Sequence, residues 1–140
     1  MIAAGLRDHF RLKAEAVGAT VTDAPDHAAA MQLVGTSAGD ESAEGVFAVA
    51  ETGSVAVALA REARGRALLA ERLWLLVPAA ELVPTLDVAL ERVSSLVRDG
   101  RPYVTLMTGP SRTADIERAL TVGVHGPREL HVVLVDGPLR

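Results

Sequence analysis

The sequence predicts an α/β fold: a mostly parallel sheet flanked by helices, with one β-hairpin. Continuous apolar runs such as Trp74–Val77 and Tyr103–Met107 have the length of buried strands. A stripe of apolar residues at helical spacing, from Leu82 to Val97, lies between these two runs. The second half of the chain therefore alternates strand, helix and strand, the pattern of parallel strands joined by crossover helices.

The N-terminal part of the chain predicts a helix, a short strand and a second helix. Apolar residues recur at helical spacing over Leu6–Val17, and β-branched residues make Thr20–Thr22 a short strand. Asp26 is placed to cap a helix that runs to about Val34. Residues 35–44 are polar and rich in glycine, so we expect a mobile loop or a shortened segment there.

The central part of the chain predicts the hairpin. Two apolar runs, Val46–Ala50 and Val55–Leu59, flank the turn Glu51–Ser54 with its central glycine. The remaining predicted elements are a strand at Trp74–Val77, a helix at Leu82–Val97, a strand at Tyr103–Met107, a helix at Thr113–Leu120 and a strand at His131–Val135.

Composition excludes several classes of protein. A chain of 140 residues fits one domain, 1–140, and its formal net charge of −4 argues against a nucleic-acid partner. The absence of cysteine excludes disulfides, thiolate chemistry and iron–sulfur ligation, and the histidines lack metal-ligand spacing. We therefore expect no metal and no cofactor. No apolar run is long enough to span a membrane and no signal-peptide pattern is present, so we expect a cytoplasmic protein.

The segment Gly109–Asp115 is the first candidate site. A strand, a Gly-Pro turn and a helix N-terminus follow one another here, and unpaired backbone N–H groups at such a point hold anions. Arg112 adds a positive charge, and Ser111 and Thr113 add hydroxyls. Ordinary helix capping by Ser111 or Thr113 explains the same residues, and neither a P-loop nor a dinucleotide fingerprint is present. Both interpretations stay open.

Glu51 and His125 are the candidate catalytic residues, although the sequence establishes neither role. Glu51 can serve as general base, nucleophile or hydrogen-bond anchor, or be an exposed hairpin tip. His125, in a Gly/Pro turn, can be an acid/base group, a ligand donor or a turn histidine bonded to backbone. Glu51 gains interest only if its turn adjoins the Gly109–Asp115 loop. The predicted ligand-binding residues are Thr52, Gly53, Ser54, Gly109, Ser111, Arg112, Thr113, Asp115, His125 and Gly126.

Three strings in the chain resemble a known family. They are AETGSV at Ala50–Val55, TGPSRTADIE at Thr108–Glu117 and GVHGPRELHVVLVD at Gly123–Asp136. In this order they are similar to the LUD domain, the LutC/YkgG family of lactate utilization proteins, and the similarity runs from about Gly45 to Asp136. One departure is that family members usually carry more sequence before the Glu-Thr-Gly motif.

The resemblance implies a fold similar to the NagB/RpiA/CoA-transferase class. It also implies a non-redox subunit of a system that oxidises L-lactate to pyruvate with iron–sulfur partner proteins, and the absence of cysteine agrees with that division. On this hypothesis a small carboxylate or phosphate-like anion pairs with Arg112, Ser111 and Thr113 donate hydrogen bonds, and His125 closes the site.

Two alternatives remain. One is an assembly or regulatory module without pocket chemistry, and the other is a stand-alone isomerase or CoA-transferase-like enzyme that uses Glu51. The high apolar content is compatible with an interface, either in a homo-oligomer or with the partner proteins.

Overall fold

The computed structural model describes residues 2–100, 104–110 and 126–139. Its elements, in chain order, are α1 Ile2–Ala16, β1 Thr20–Ala24, α2 His27–Leu33, β2 Asp40–Glu44, β3 Phe47–Val49, β4 Ser54–Ala58, α3 Arg61–Leu68, β5 Arg72–Pro78, β6 Leu82–Val83, α4 Leu86–Arg98, β7 Val104–Met107 and β8 Glu129–Val135.

The described strands form two four-stranded sheets. Sheet A has the order β1-β8-β5-β2, and all its neighbours are parallel. Sheet B has the order β6-β3-β4-β7, in which β3 is parallel to β6 and β4 is antiparallel to both β3 and β7. Parallel pairings therefore predominate. The predicted α/β class is confirmed, and the predicted hairpin is the β3–β4 pair.

Three apolar layers hold the sheets and helices together. Side chains of β4, β5 and β8 meet Phe10 and Ala14 of α1 in one buried cluster, which joins the two sheets. The opposite face of sheet A packs against Ala30 of α2, and the opposite face of sheet B packs against Ala89 of α4. Because β8 is covered on both faces, it is a continuous apolar run rather than an alternating one.

Ion pairs connect α1 to the carboxyl ends of β1 and β8 in sheet A. Arg7 reaches Asp23 at 3.1 Å and Asp136 at 2.8 Å, so that it bridges β1 and the end of β8. Arg11 contacts the same Asp23 at 2.6 Å and donates to the Val21 carbonyl. Exposed ion pairs add little stability individually, so these contacts accompany the apolar packing of α1 rather than replace it.

The prediction of a loop over 35–44 is wrong for its second half, because Asp40–Glu44 form β2 beside β5. The buried Asp40 carboxylate accepts from Arg72 at 2.7 Å and from the Ser37 amide at 2.9 Å. These contacts tie a polar edge strand to the sheet. Hydrophobic periodicity misses such a strand, since most of its side chains remain partly or fully exposed.

The predicted helix Leu82–Val97 begins later than expected. Leu82 and Val83 form β6 beside β3, and α4 starts at Leu86, where Thr85 accepts from the Val88 amide. Pro84 separates the two elements, because proline disfavours helical geometry in the residue before it. Helix α3 was not predicted from the sequence, because its few apolar residues form no clear stripe at helical spacing. The predicted helix Thr113–Leu120 and the residue Tyr103 lie outside the described residues.

The Asp40–Arg72 pair predicts a loss of stability in acid. Burial by itself would raise the pKa of Asp40, but the Ser37 amide and the Arg72 guanidinium outweigh it, so the pKa lies below its ordinary value of 3.8. The resulting stabilisation is complete above that value and disappears as the pH falls through the lower, folded-state pKa. We therefore expect Asp40→Asn to be destabilised at neutral pH and to approach the wild type in acid. Urea unfolding at about pH 7 and about pH 3 measures this, with the exposed Asp8→Asn as control. A difference that does not change with pH would contradict the assignment.

Candidate functional site

One edge of sheet B collects the polar turns of the chain. Strands β3, β6 and β7 run in the same direction, because β4 is antiparallel to both β3 and β7. Their carboxyl ends therefore meet at one edge, together with the amino end of β4. The turn Glu51–Ser54, the Thr85 cap of α4 and the Thr108–Gly109 segment all lie there. Ligand sites in open α/β sheets form at the carboxyl ends of strands.

The backbone of the Glu51–Ser54 turn is tied to its neighbours. The Ala50 amide donates to the Val83 carbonyl at 2.9 Å, and the Glu51 amide donates to the Pro84 carbonyl at 3.2 Å. Gly53 has a φ of +71°, and a Cβ built on it would lie 2.7 Å from Ala14 Cα. The turn therefore fits beneath α1 only with glycine at this position.

Three hydroxyls connect this turn to the segment after β7. Ser54 Oγ lies 2.7 Å from Thr52 Oγ1 and 2.6 Å from Thr108 Oγ1. Ser54 is buried, with 2% of its surface exposed, whereas Thr108 is exposed. The turn that contains Glu51 therefore adjoins the start of the Gly109–Asp115 loop, which is the condition under which Glu51 was a candidate site residue.

The carboxylate of Glu51 points to the other side of the turn. Its Oε1 accepts from the Leu86 amide, the first residue of α4, at 2.7 Å. A carboxylate at a helix N-terminus satisfies an unpaired amide and interacts favourably with the helix dipole. This geometry supports the hydrogen-bond anchor among the roles that the sequence allowed for Glu51.

Gly109 packs against the C-terminal end of α1. It has a φ of +71°, and a Cβ there would lie 2.5 Å from the Val17 carbonyl oxygen. Gly126 lies before the start of β8, and its place in the ligand site stays a prediction. The other predicted site residues, which are Ser111, Arg112, Thr113, Asp115 and His125, lie outside the described residues.

Two contacts of the site were not predicted from the sequence, namely those made by the Thr108 hydroxyl and by the Leu86 amide. Thr108 stands directly before Gly109, but its partner Ser54 is 54 residues away. That contact follows from the β4–β7 pairing, in which Val55 lies opposite Met107. Periodicity predicts each strand but leaves the pairing of the strands open, so the contact could not be derived from it.

A second polar cluster lies on the outer face of sheet A. His131 stacks on Trp74, with ring centroids 4.6 Å apart. Its Nδ1 lies 2.6 Å from Thr20 Oγ1, and its Nε2 lies 3.0 Å from Glu129 Oε1. Both ring nitrogens of His131 are therefore engaged by neighbouring side chains.

Fold and site together define an α/β protein with a polar turn cluster at the carboxyl edge of a mixed sheet. The family model of the LUD domain matches residues 43–135, about two thirds of the chain. The chain therefore belongs to the LUD domain family. The match contains the Glu51–Ser54 turn, β7 and β8, so the cluster is part of the family domain.

Curated relatives carry the name lactate utilization protein C. The one from Macrococcus caseolyticus is 38% identical over 93 residues, which cover 63% of this chain and 40% of the relative. The one from Bacillus velezensis is 37% identical over 93 residues (63% of this chain, 38% of the relative). The one from Deinococcus radiodurans is 46% identical over 55 residues (39% and 26%). The matched segment thus spans about two fifths or less of these relatives' length.

A solved structure has the same fold. The crystal structure of a DUF162 family protein from Deinococcus radiodurans superposes with a TM-score of 0.70, covering 95% of this chain and 98% of that one, at 20% sequence identity. At this identity the likeness establishes the fold alone. Among the described helices, none is long and apolar enough to cross a membrane.

The close approach of Gly53 to α1 predicts that adding a single methyl group at this position strongly destabilises the protein. We expect Gly53→Ala to lower the free energy of unfolding by about 2 to 4 kcal/mol, because it combines a left-handed backbone with a clash against α1. Gly65→Ala is the matched control: it lies inside α3 with open space around it, and we expect a gain of about 0.5 to 1 kcal/mol. Urea unfolding measures both, and equal effects would contradict the proposed close approach.

The hydrogen bond between Glu51 and the first residue of α4 predicts a loss of stability of the size seen when a helix cap is removed. We expect Glu51→Ala to cost about 1 kcal/mol and Glu51→Gln less, because glutamine keeps the acceptor and loses only the charge. The exposed Glu91→Ala on α4 should change stability by less than about 0.5 kcal/mol. Thermal unfolding measures all three. A Glu51→Gln protein with unchanged stability and abolished ligand binding would show that the carboxylate serves a ligand instead.

Proposed function

We propose that this chain is the non-redox component of a system that oxidises L-lactate to pyruvate, and that it holds a small carboxylate at the carboxyl edge of sheet B. Family membership supports the pathway, since the curated relatives are lactate utilization proteins. The Ser54–Thr108 hydrogen bond supports the site, because it joins two family strings at an edge where α/β sheets hold ligands.

Oxidation of lactate to pyruvate removes two electrons and two protons, so an electron acceptor is required. The chain has no cysteine, and therefore no thiolate for an iron–sulfur cluster. In the proposal the iron–sulfur partner proteins accept the electrons, and this chain binds the substrate or product within the cytoplasm. The substrate carboxylate pairs with Arg112, and the hydroxyls of Ser111 and Thr113 and the imidazole of His125 complete the site.

The carboxylate assignment is tested by ligand-dependent unfolding. L-lactate, pyruvate and inorganic phosphate are each added to the purified chain, and the midpoint of thermal unfolding is measured. At 100 times the dissociation constant we expect a stabilisation of about 2.7 kcal/mol. Arg112→Ala should lose the ligand-dependent part and keep the stability of the free protein, and Arg66→Ala, an exposed arginine of α3, is the control. An Arg112→Ala protein that binds like the wild type would contradict the assignment.

The redox division is tested by reconstitution. The isolated chain should show no visible cofactor absorbance and should not reduce an artificial electron acceptor with lactate. Addition of the iron–sulfur partner proteins should produce lactate-dependent reduction, and omission of this chain should abolish it. Lactate oxidation by the isolated chain would overturn the proposal and favour a stand-alone enzyme.

A module for assembly is the second candidate. The observation that favours it is the exposure of Leu90 and Val97, one heptad apart on α4, at 52% and 48%. An enzyme that uses Glu51 as a nucleophile is less well supported, because its carboxylate is bound to the start of α4. If no anion stabilises the chain, but the partner proteins or a second copy bind it, the assembly role replaces the carboxylate site.

A further inference from the structure

We infer that the Thr108 hydroxyl is the hydrogen-bond donor that meets the ligand, and that buried Ser54 is the residue that positions it. The inference rests on the proposed function and deepens it, since it names the Thr108 hydroxyl as the group that donates a hydrogen bond to the bound oxyanion. The observation behind it is a row of three hydrogen-bonded hydroxyls, Thr52 to Ser54 to Thr108, with oxygen–oxygen distances of 2.7 and 2.6 Å.

The protons of these three hydroxyl groups can be counted. Three hydroxyls carry three protons, and the two hydrogen bonds between them use two. If Ser54 accepted from both neighbours, its own proton would be buried without a partner, which is costly. Ser54 therefore donates to one neighbour and accepts from the other. One proton is left over, and it lies on Thr52 or on Thr108.

Exposure decides which end presents this proton to a ligand. Thr52 is half-buried beside Gly53, which packs against α1, whereas Thr108 is exposed at the end of β7. An acceptor next to Thr108 fixes the direction in which Thr52 donates to Ser54 and Ser54 donates to Thr108. Each hydroxyl then polarises the next, so the last donor is stronger than an isolated hydroxyl.

The class of ligand follows from this donor. A polarised hydroxyl favours an ionised acceptor, because charge-assisted hydrogen bonds are about twice as strong as neutral ones. The Glu51 carboxylate does not compete for it, since its contact is with α4 on the opposite side of the turn. On this inference the ligand is an oxyanion, either a carboxylate such as lactate or pyruvate or inorganic phosphate.

The test compares variants of Thr108 by isothermal titration with L-lactate, pyruvate and phosphate, and with neutral lactamide as the uncharged analogue. We expect Thr108→Val to weaken oxyanion binding by about tenfold or more, because it keeps the branched shape and removes the donor. Thr108→Ser keeps the donor and should stay within about threefold of the wild type. The Thr108→Val substitution should weaken the binding of one class of oxyanion more than the other. That class, carboxylate or phosphate, is the one that the Thr108 hydroxyl recognises.

The positioning role of Ser54 is tested by a double-mutant cycle. Ser54→Ala should weaken oxyanion binding by about three- to tenfold and leave lactamide binding less affected. In the Thr108→Val background the same substitution should cause no further loss, since its effect passes through Thr108. Equal losses for lactate and lactamide, or additive effects of the two substitutions, would overturn the positioning role.

The outcomes separate this inference from the function on which it rests. If the wild type binds an oxyanion and Thr108→Val binds it equally well, the donor is wrong and the proposed site stands. If the wild type binds no oxyanion, the site and its donor are both overturned. Because Thr108 is exposed, its variants are expected to fold even if Ser54→Ala does not.

Discussion

The close approach of Gly53 to the backbone of α1 is the contact on which this end of the molecule depends. A side chain at this position would overlap Ala14, so the turn and the helix meet only because glycine has no Cβ and accepts a positive φ. Gly109 meets Val17, the residue that directly follows this helix. One helix end therefore covers the turn of the hairpin and the segment after β7, and both are held at the edge of sheet B.

The turn that is held in this way acts in two directions. Toward β6, Glu51 caps α4 and ties the crossover helix to the hairpin. Toward β7, Ser54 meets Thr108 and ties the hairpin to the segment that leads into the candidate anion loop. The division explains why the Glu51 carboxylate and the candidate anion loop, which begins beside the same turn, need not share one chemical task. The carboxylate contacts the start of α4, and of the three hydroxyls only that of Thr108 is on an exposed residue.

The described part of this edge offers hydrogen-bonding groups. They are the side-chain hydroxyls of Thr52, Ser54 and Thr108. In the proposed function these hydroxyls help to position a carboxylate while partner proteins accept the electrons. The segment matched to the Macrococcus caseolyticus relative spans 40% of that relative's length.

The sequence by itself determined the α/β class, the hairpin, most strands and the Asp26 cap of α2, because these depend on local periodicity and on side chains near their own backbone. It also determined the family, through strings that are contiguous in the chain. Tertiary structure alone decided that Asp40–Glu44 is a strand, since a polar edge strand is stabilised by its partner β5 and by Arg72 rather than by its own pattern. Tertiary structure also paired Ser54 with Thr108 and Glu51 with α4. Those contacts require the direction and register of strands far apart in sequence, and only the packing of the whole chain fixes them.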